Sequence, residues 1–324
     1  MKKQKIRFYA ALLCSSMVFS LVSTPVSAAE TGQMPNPQTS TEELSSPESI
    51  SGNEAASALN GLSVLAANGE AEVTTASELT GALADSSISR ITLKGDIDIG
   101  STLTVNRTVT LDLNGCVLKM TGSDSVIKVE ADGDLTIQDR NTTTQHKFNP
   151  HCKYLTWYID MWELDNGGSE IVSGGVITGG GGDQSNGGGV LVAGGTLVMA
   201  GGSIVGCSAM SRGGGVCNNG TFIMSDGMIK GCTSPDGQYA SGGGVRNSNQ
   251  FTMTGGMIGD PDNENDASHV YNTSSQETTL TISGNAKIYT DITNVGILNA
   301  DGGEIAGTMT NDTNRYGNRV GGGD

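Results

Sequence analysis

From Val73 onward, apolar residues alternate with polar ones in short runs: Ile91 and Leu93; Ile97 and Ile99; Leu103 and Val105; Val109, Leu111 and Leu113; Ile127 and Val129; Leu135 and Ile137. Alternation over so few residues predicts β-strands that point one face inward. Further along, the alternation becomes a repeat marked by glycine: GGGV, TLVM and GGSI, then GGGV, TFIM and DGMI, then GGGV, QFTM and GGMI. Val190, Val216 and Val245 follow the glycine triplets, with Leu197, Phe222 and Phe251 six or seven residues later and Met199, Met224 and Met253 two beyond those. A turn at Gly201-Gly202, Asp226-Gly227 or Gly255-Gly256 then leads to Ile204, Ile229 and Ile258.

The columns recur every 25 to 29 residues. That interval is short for a four-stranded propeller blade, and no helical period separates the strands, so βαβ units fit poorly. One coil of a parallel β-helix fits. Successive coils would pair about 4.8 Å apart, stacking Val on Val, Leu on Phe, Met on Met and Ile on Ile. No coil can bury its apolar face without its neighbours. Before the first coils, Thr75 and Glu78 form a capping box ahead of Leu79, Leu83 and Ala84. The predicted short helix would cover the open end of the solenoid, whose strand edges otherwise invite aggregation.

Composition agrees: 48 glycines, 16% charged and 4% aromatic residues describe a polar chain with a thin apolar core. The glycines have no three-residue period, which excludes collagen, and columns that stay in register argue against disorder. Lys2, Lys3, Lys5 and Arg7, the apolar run Phe8 to Val22 and the small residues Val26-Ser27-Ala28 make residues 1–28 a predicted signal peptide. Later stretches fall short of the roughly 20 apolar residues that span a bilayer, so the mature chain is expected to carry no transmembrane segment. Without residues 1–28 the chain holds 14 basic against 34 acidic residues. That balance argues against a nucleic-acid partner and disfavours anionic polysaccharide unless calcium bridges the surfaces. Residues 29–69, rich in Ser, Thr, Pro, Asn and Glu, read as a linker, residues 70–310 as the solenoid, and residues 311–324 as a polar tail.

The run TVTLDLNGCVLKM, the later DGDLTIQD and the GGGV and GTFIMSDGMI units resemble the glycine-rich, pectate-lyase-like right-handed β-helix proteins that bacteria export to their surface. The resemblance spans roughly residues 70–310 and implies an all-β, right-handed parallel β-helix solenoid with a short N-terminal capping helix, secreted or held at the cell surface. The superfamily it implies includes lyases, hydrolases, adhesins and binding modules, so activity must be argued from a site. Lyases of this kind use clustered carboxylates for calcium and a basic residue for proton abstraction, and the related hydrolases use paired Asp side chains. Between Gly174 and Ile258 the only acids are Asp183, Asp226 and Asp236, unpaired, and no catalytic residue is assigned.

Candidate chemistry lies where the repeat breaks. The insertion 141–168 concentrates Phe148, Tyr154, Trp157, Tyr158 and Trp162. Tyr154, Trp157, Tyr158 and Trp162 are candidates to stack on sugar rings, the alternative being that the rings fold onto a sheet face. Asp260, Asp262, Glu264 and Asp266 alternate as calcium ligands do in turns, or form a solvated loop. Calcium is the one cofactor considered. Cys207 and Cys232 occupy equivalent places in adjacent repeats, as a disulfide or as a reduced, buried ladder. The expected function is that of a non-catalytic, adhesin-like or glycan-binding surface protein, with a polysaccharide or host-surface ligand. The alternative is a polysaccharide lyase or glycoside hydrolase.

Overall fold

The computed structural model describes residues 69–152, 160–181, 186–234, 242–263, 266–273 and 277–311. The expected signal peptide, almost all of the expected linker and nearly all of the polar tail lie outside these residues, as do Tyr154, Trp157, Tyr158 and Glu264. The described part is all-β apart from one helix, Ala76–Ala84, and most of its strands pair in parallel.

Three rows of parallel strands account for the repeat. The first row runs through Arg90–Leu93, Thr108–Asp112 and Asp134–Gln138 into the leading halves of Thr196–Val205 and Thr221–Lys230, then through Gln250–Met253, Thr279–Ile288 and Ile297–Ile305. Ile97–Ile99, Val117–Met120 and Val176–Thr178 begin a second row. It continues through the trailing halves of the ten-residue strands, which bend at their glycines. The third row is Leu103–Val105, Ile127–Val129, Val190–Val192, Val216–Asn218, Val245–Asn247, Val270–Asn272, Ile292–Asn294 and Met309–Asn311.

Register follows the apolar columns. Val190 pairs with Val216 and Val216 with Val245; Leu197 pairs with Phe222, Met199 with Met224 and Ile204 with Ile229. A one-residue slip would turn every inward side chain to solvent, so burial specifies the pairing. Phe222 and Phe251 stack with ring centroids 4.5 Å apart and planes 9° apart. The second row turns an almost unbroken column inward, Ile97, Leu118, Ile177, Ile204, Ile229, Ile258 and Ile288. β-branched side chains have few rotamers to lose on a pleated surface, which suits them to this stacking.

In the third row one inward column changes character. Val105, Val129 and Val192 are followed by Asn218, Asn247, Asn272, Asn294 and Asn311. Each amide Nδ2 donates to the Oδ1 of the next, at 2.7, 2.8, 2.8 and 3.0 Å. The first three also donate to the backbone carbonyls of Gln250, Thr279 and Ile297. This buried ladder is what closes the turn between the third row and the next first-row strand.

At the N-terminal end Thr75 accepts from the Glu78 amide and the Glu78 carboxylate accepts from the Thr75 amide, so the expected capping box is formed. Leu79, Ala82 and Leu83 of the helix are buried. Its last turn has no basic residue of its own, but Arg107 donates to the carbonyls of Leu83 and Ala82 at 2.9 and 2.8 Å. A guanidinium there satisfies orphan carbonyls and opposes the helix dipole.

Asp112 is a fully buried carboxylate on the first row, paired with Arg140 and accepting from Gln138 Nε2 and from the Arg140 and Asn114 amides. Burial alone pushes it up, but the hydrogen bonds from Arg140 and Gln138 and the Arg140 charge together hold it below its ordinary value. A carboxylate whose pKa is depressed on folding adds stability above its unfolded pKa and loses it as pH falls. Urea unfolding of the wild type should therefore weaken as pH drops below about 4, and Asp112→Asn should be destabilised at pH 7 but show a flatter acid limb. An acid limb as steep in the variant as in the wild type would remove Asp112 from this role.

Candidate functional site

The segment 145–173 departs from the repeat. Gln145–Cys152 pairs antiparallel with Asp160–Leu164 on one side and with Glu170–Ser173 on the other, making a small three-stranded sheet. This sheet lies on the outer side of the second row. Phe148, Trp162 and Val172 bury against Val176 and Val205, with Leu164 and Met228 packed alongside. Outward positions on parallel strands that face solvent are ordinarily polar, and these are apolar because the sheet covers them.

Two glycines let the sheet approach. A Cβ at Gly231 would lie 2.1 Å from Trp162 Cγ, and one at Gly206 would lie 2.0 Å from the Trp162 carbonyl oxygen. The Trp162 amide donates to the Gly231 carbonyl at 3.2 Å. Lys230 reaches over the indole, with Nζ 4.2 Å from the ring centroid, and the same ammonium pairs with Asp260 at 3.4 Å. Lys230 and Asp260 are both buried, so neither charge is left unpaired in the contact.

Trp162, expected as a sugar-stacking ring, is only 1% exposed, and its stacking role is corrected accordingly. Its ring is used up by Lys230 and Gly231, which is the folded-down alternative. The other three aromatic candidates, Tyr154, Trp157 and Tyr158, lie outside the described residues. Of the acidic candidates, Asp260 faces Lys230, and Asp266 accepts from the Gly231 and Ser268 amides. Burial pushes the Asp266 carboxyl up, against the pull of those hydrogen bonds. The Asp262 amide donates to Asp260 Oδ1 at 3.1 Å. The Asp260 and Asp266 carboxylates are thus engaged by protein donors, and among the described residues no three His, Cys, Asp or Glu side chains gather as a metal cluster.

Cys207 and Cys232 each stand two residues past the end of adjacent paired strands and are free thiols, so the disulfide alternative is not the one found here. Both are buried, and each sulfur instead approaches backbone carbonyls, Cys207 those of Val205 and Ile177 and Cys232 those of Lys230 and Ile204. Burial pushes the Cys232 thiol well up, which keeps it from forming a thiolate.

The docked sheet leaves a cleft on each flank. The larger, about 640 Å³, follows the glycine turns at the start of the second row. Its floor is built repeat by repeat from Ala200–Ser203, Ser225–Met228 and Thr254–Met257, with Asn285 and Lys287 beyond, and Asp139, Thr142 and Ser173 stand on the side of the docked sheet. Asp139 is committed to the fold: Oδ1 accepts from the Gly115 amide and Oδ2 from the Gly175 amide, both at 2.7 Å. Asp226 is exposed and accepts from the Gly227 amide at 2.8 Å. Hydroxyls, amides and turn backbone therefore make up most of this groove. The groove was not anticipated from the sequence, although the glycine turns that floor it were, because its depth comes from the docked sheet.

Residues 70–173 match one family model, described as "Putative pectate lyase-like adhesive domain". The match supports a pectate lyase-like family for this part of the chain. It takes in the helix, the first strands of all three rows and the docked sheet, and it ends before the glycine triplets. No curated protein and no solved structure matches the chain.

Proposed function

We propose that the chain is an exported adhesive protein, a right-handed parallel β-helix that holds an extended polysaccharide or host-surface polymer along the groove beside the docked sheet. One observation carries the reading. The groove crosses successive repeats through similar glycine turns, Ala200–Ser203, Ser225–Met228 and Thr254–Met257, so its turn backbone recurs at the strand spacing of about 4.8 Å, and Ser225 and Thr254 add hydroxyls at equivalent positions of neighbouring repeats. A site built this way grips a long, repeating partner at many equivalent points and gives a small ligand no unique seat. The adhesive-domain match and the N-terminal export pattern agree with a surface location.

The test is retention of the mature chain on a panel of immobilised polysaccharides and matrix polymers. Thr254 and Asp226 are exposed groove residues, and Thr254→Arg with Asp226→Arg would fill its centre without touching the core. Retention on one polymer class, weakened at least about tenfold by the double variant, is the expected result. Retention that ignores the variant would move adhesion elsewhere. Release of new reducing ends or unsaturated products would replace adhesion with the lyase or hydrolase reading.

A further inference from the structure

Lys230 and Asp260 form a contact unlike the other lysine pairs among the described residues. Lys94 with Glu72 and Lys128 with Glu130 close to 2.7 Å at the surface. Lys230 Nζ stays 3.4 Å from Asp260 Oδ2, although the two side chains are only 9% and 7% exposed. Charge-assisted hydrogen bonds ordinarily close to about 2.7–2.9 Å, so this pair is desolvated without the short contact that would offset the cost. Among the described residues the ammonium has no second hydrogen-bond acceptor, and its other neighbour is the Trp162 ring. The separation falls instead in the range of about 3–3.5 Å from which held groups react.

Both partners are fixed in place. Lys230 ends the strand Thr221–Lys230, and Asp260 follows Met257–Ile258, which pairs with that strand through Ile229 and Ile258. Asp260 Oδ1 accepts from the Asp262 amide at 3.1 Å, and the Asp260 carbonyl accepts from the Asn263 amide at 3.2 Å, which together orient the carboxyl. Asp266 holds the far end of the same loop by accepting from the amide of Gly231, the neighbour of Lys230. We propose that Lys230 and Asp260 condense into an intramolecular amide, a covalent strap between neighbouring repeats. The ammonium first passes a proton to the carboxylate, giving an amine and a carboxylic acid, the forms that burial favours over two charges. The amine nitrogen then attacks Asp260 Cγ while the Asp262 amide donates to Oδ1, where negative charge develops. The Cγ–Oδ2 bond breaks, Oδ2 leaves as water with the acid proton and one proton from nitrogen, and the Nζ–Cγ amide remains. Water is the only by-product, and no oxidant, nucleotide or metal enters the balance. The strap does not depend on what the groove binds.

The test is the intact mass of the purified mature chain after denaturation and reduction, followed by tryptic digestion. The expected mass is that of the sequence less one water. Trypsin should fail to cut after Lys230 and should release one branched peptide, residues 213–246 joined to 247–287, because Lys230 is the only lysine or arginine inside these two spans. Lys230→Arg keeps a cation over Trp162 and beside Asp260 but offers no amine, so it should fold, show the full sequence mass and give no branched peptide. Asp260→Ala should restore the full mass as well. Both wild-type readings stand even where a variant fails to fold. The inference is overturned if the wild type carries its full sequence mass, if trypsin cuts after Lys230, or if the missing water persists in Lys230→Arg.

Discussion

Gly231→Ala should release the three-stranded sheet from the repeats while the repeats themselves stay folded. The alanine methyl would sit 2.1 Å from Trp162 Cγ, inside any permitted contact, and Gly231 has φ +59°, which costs a residue with a Cβ about 1–2 kcal/mol on its own. The ring is held where it is by Phe148, Val172, Val176 and Val205, which bury with it, and by Lys230 over its face. Lifting it exposes Phe148, Trp162 and Val172, and large side chains lose about 1.5–3 kcal/mol each when they leave a core. Hydrogen exchange should show protection lost across 145–152 and 160–173 and kept in the third row. The fluorescence of Trp162, read in a Trp157→Phe background, should shift to the red. Unchanged protection in the small sheet would mean that the sheet holds itself without this contact. Gly206→Ala should act in the same direction through the Trp162 carbonyl.

The second large effect is expected at Asn247. Its side chain accepts from Asn218 and from the Asn249 amide, and donates to Asn272 and to the Thr279 and Asn249 carbonyls, all in a buried setting. Asn247→Leu keeps the volume and strands several of these partners at once. A buried polar group left unsatisfied costs about 1–3 kcal/mol, so a loss of about 3–5 kcal/mol is expected in urea unfolding. Asn218→Val should cost less. It stands where the column is still apolar on its other side, against Val192, and gives up its bond to Asn247, its bond to the Gln250 carbonyl and the Gly220 amide. Equal losses at the two sites would mean that the ladder is not energetically cooperative.

Much of the scaffold was legible because burial writes a period into the chain. Val190, Val216 and Val245, or Met199, Met224 and Met253, can align in only one way that keeps every apolar side chain inside. The capping box was legible for a similar reason, since Thr75 and Glu78 satisfy each other over four residues. The asparagine column was equally periodic, two residues after Val216, Val245, Val270 and Ile292, yet it escapes a reading that looks for apolar residues inside. Its partners are other members of the same column, so each Asn alone reads as a turn residue.

The site was far less legible. The aromatic cluster announced an unusual segment, but which side of Trp162 would be free depends on what it meets, and that is set by Val176, Val205, Met228 and two glycines far along the chain. A clue was present: Val205 stands at an outward position where the flanking repeats carry Thr178 and Lys230. The acidic loop misled because alternation of carboxylates says nothing about direction. Asp260 and Asp266 turn inward to Lys230 and to backbone amides.

The seat of the small sheet also bears on how the molecule would yield to force. In a chain of stacked repeats, each in contact only with its neighbours, tension applied at one end peels the repeats away in sequence. The sheet of residues 145–173 breaks that order, because it is anchored at once to the strands carrying Val176, Val205 and Lys230. Those repeats must part together, so a pull on a tethered partner would meet a stiff segment in the middle of an otherwise sequentially peeling stack.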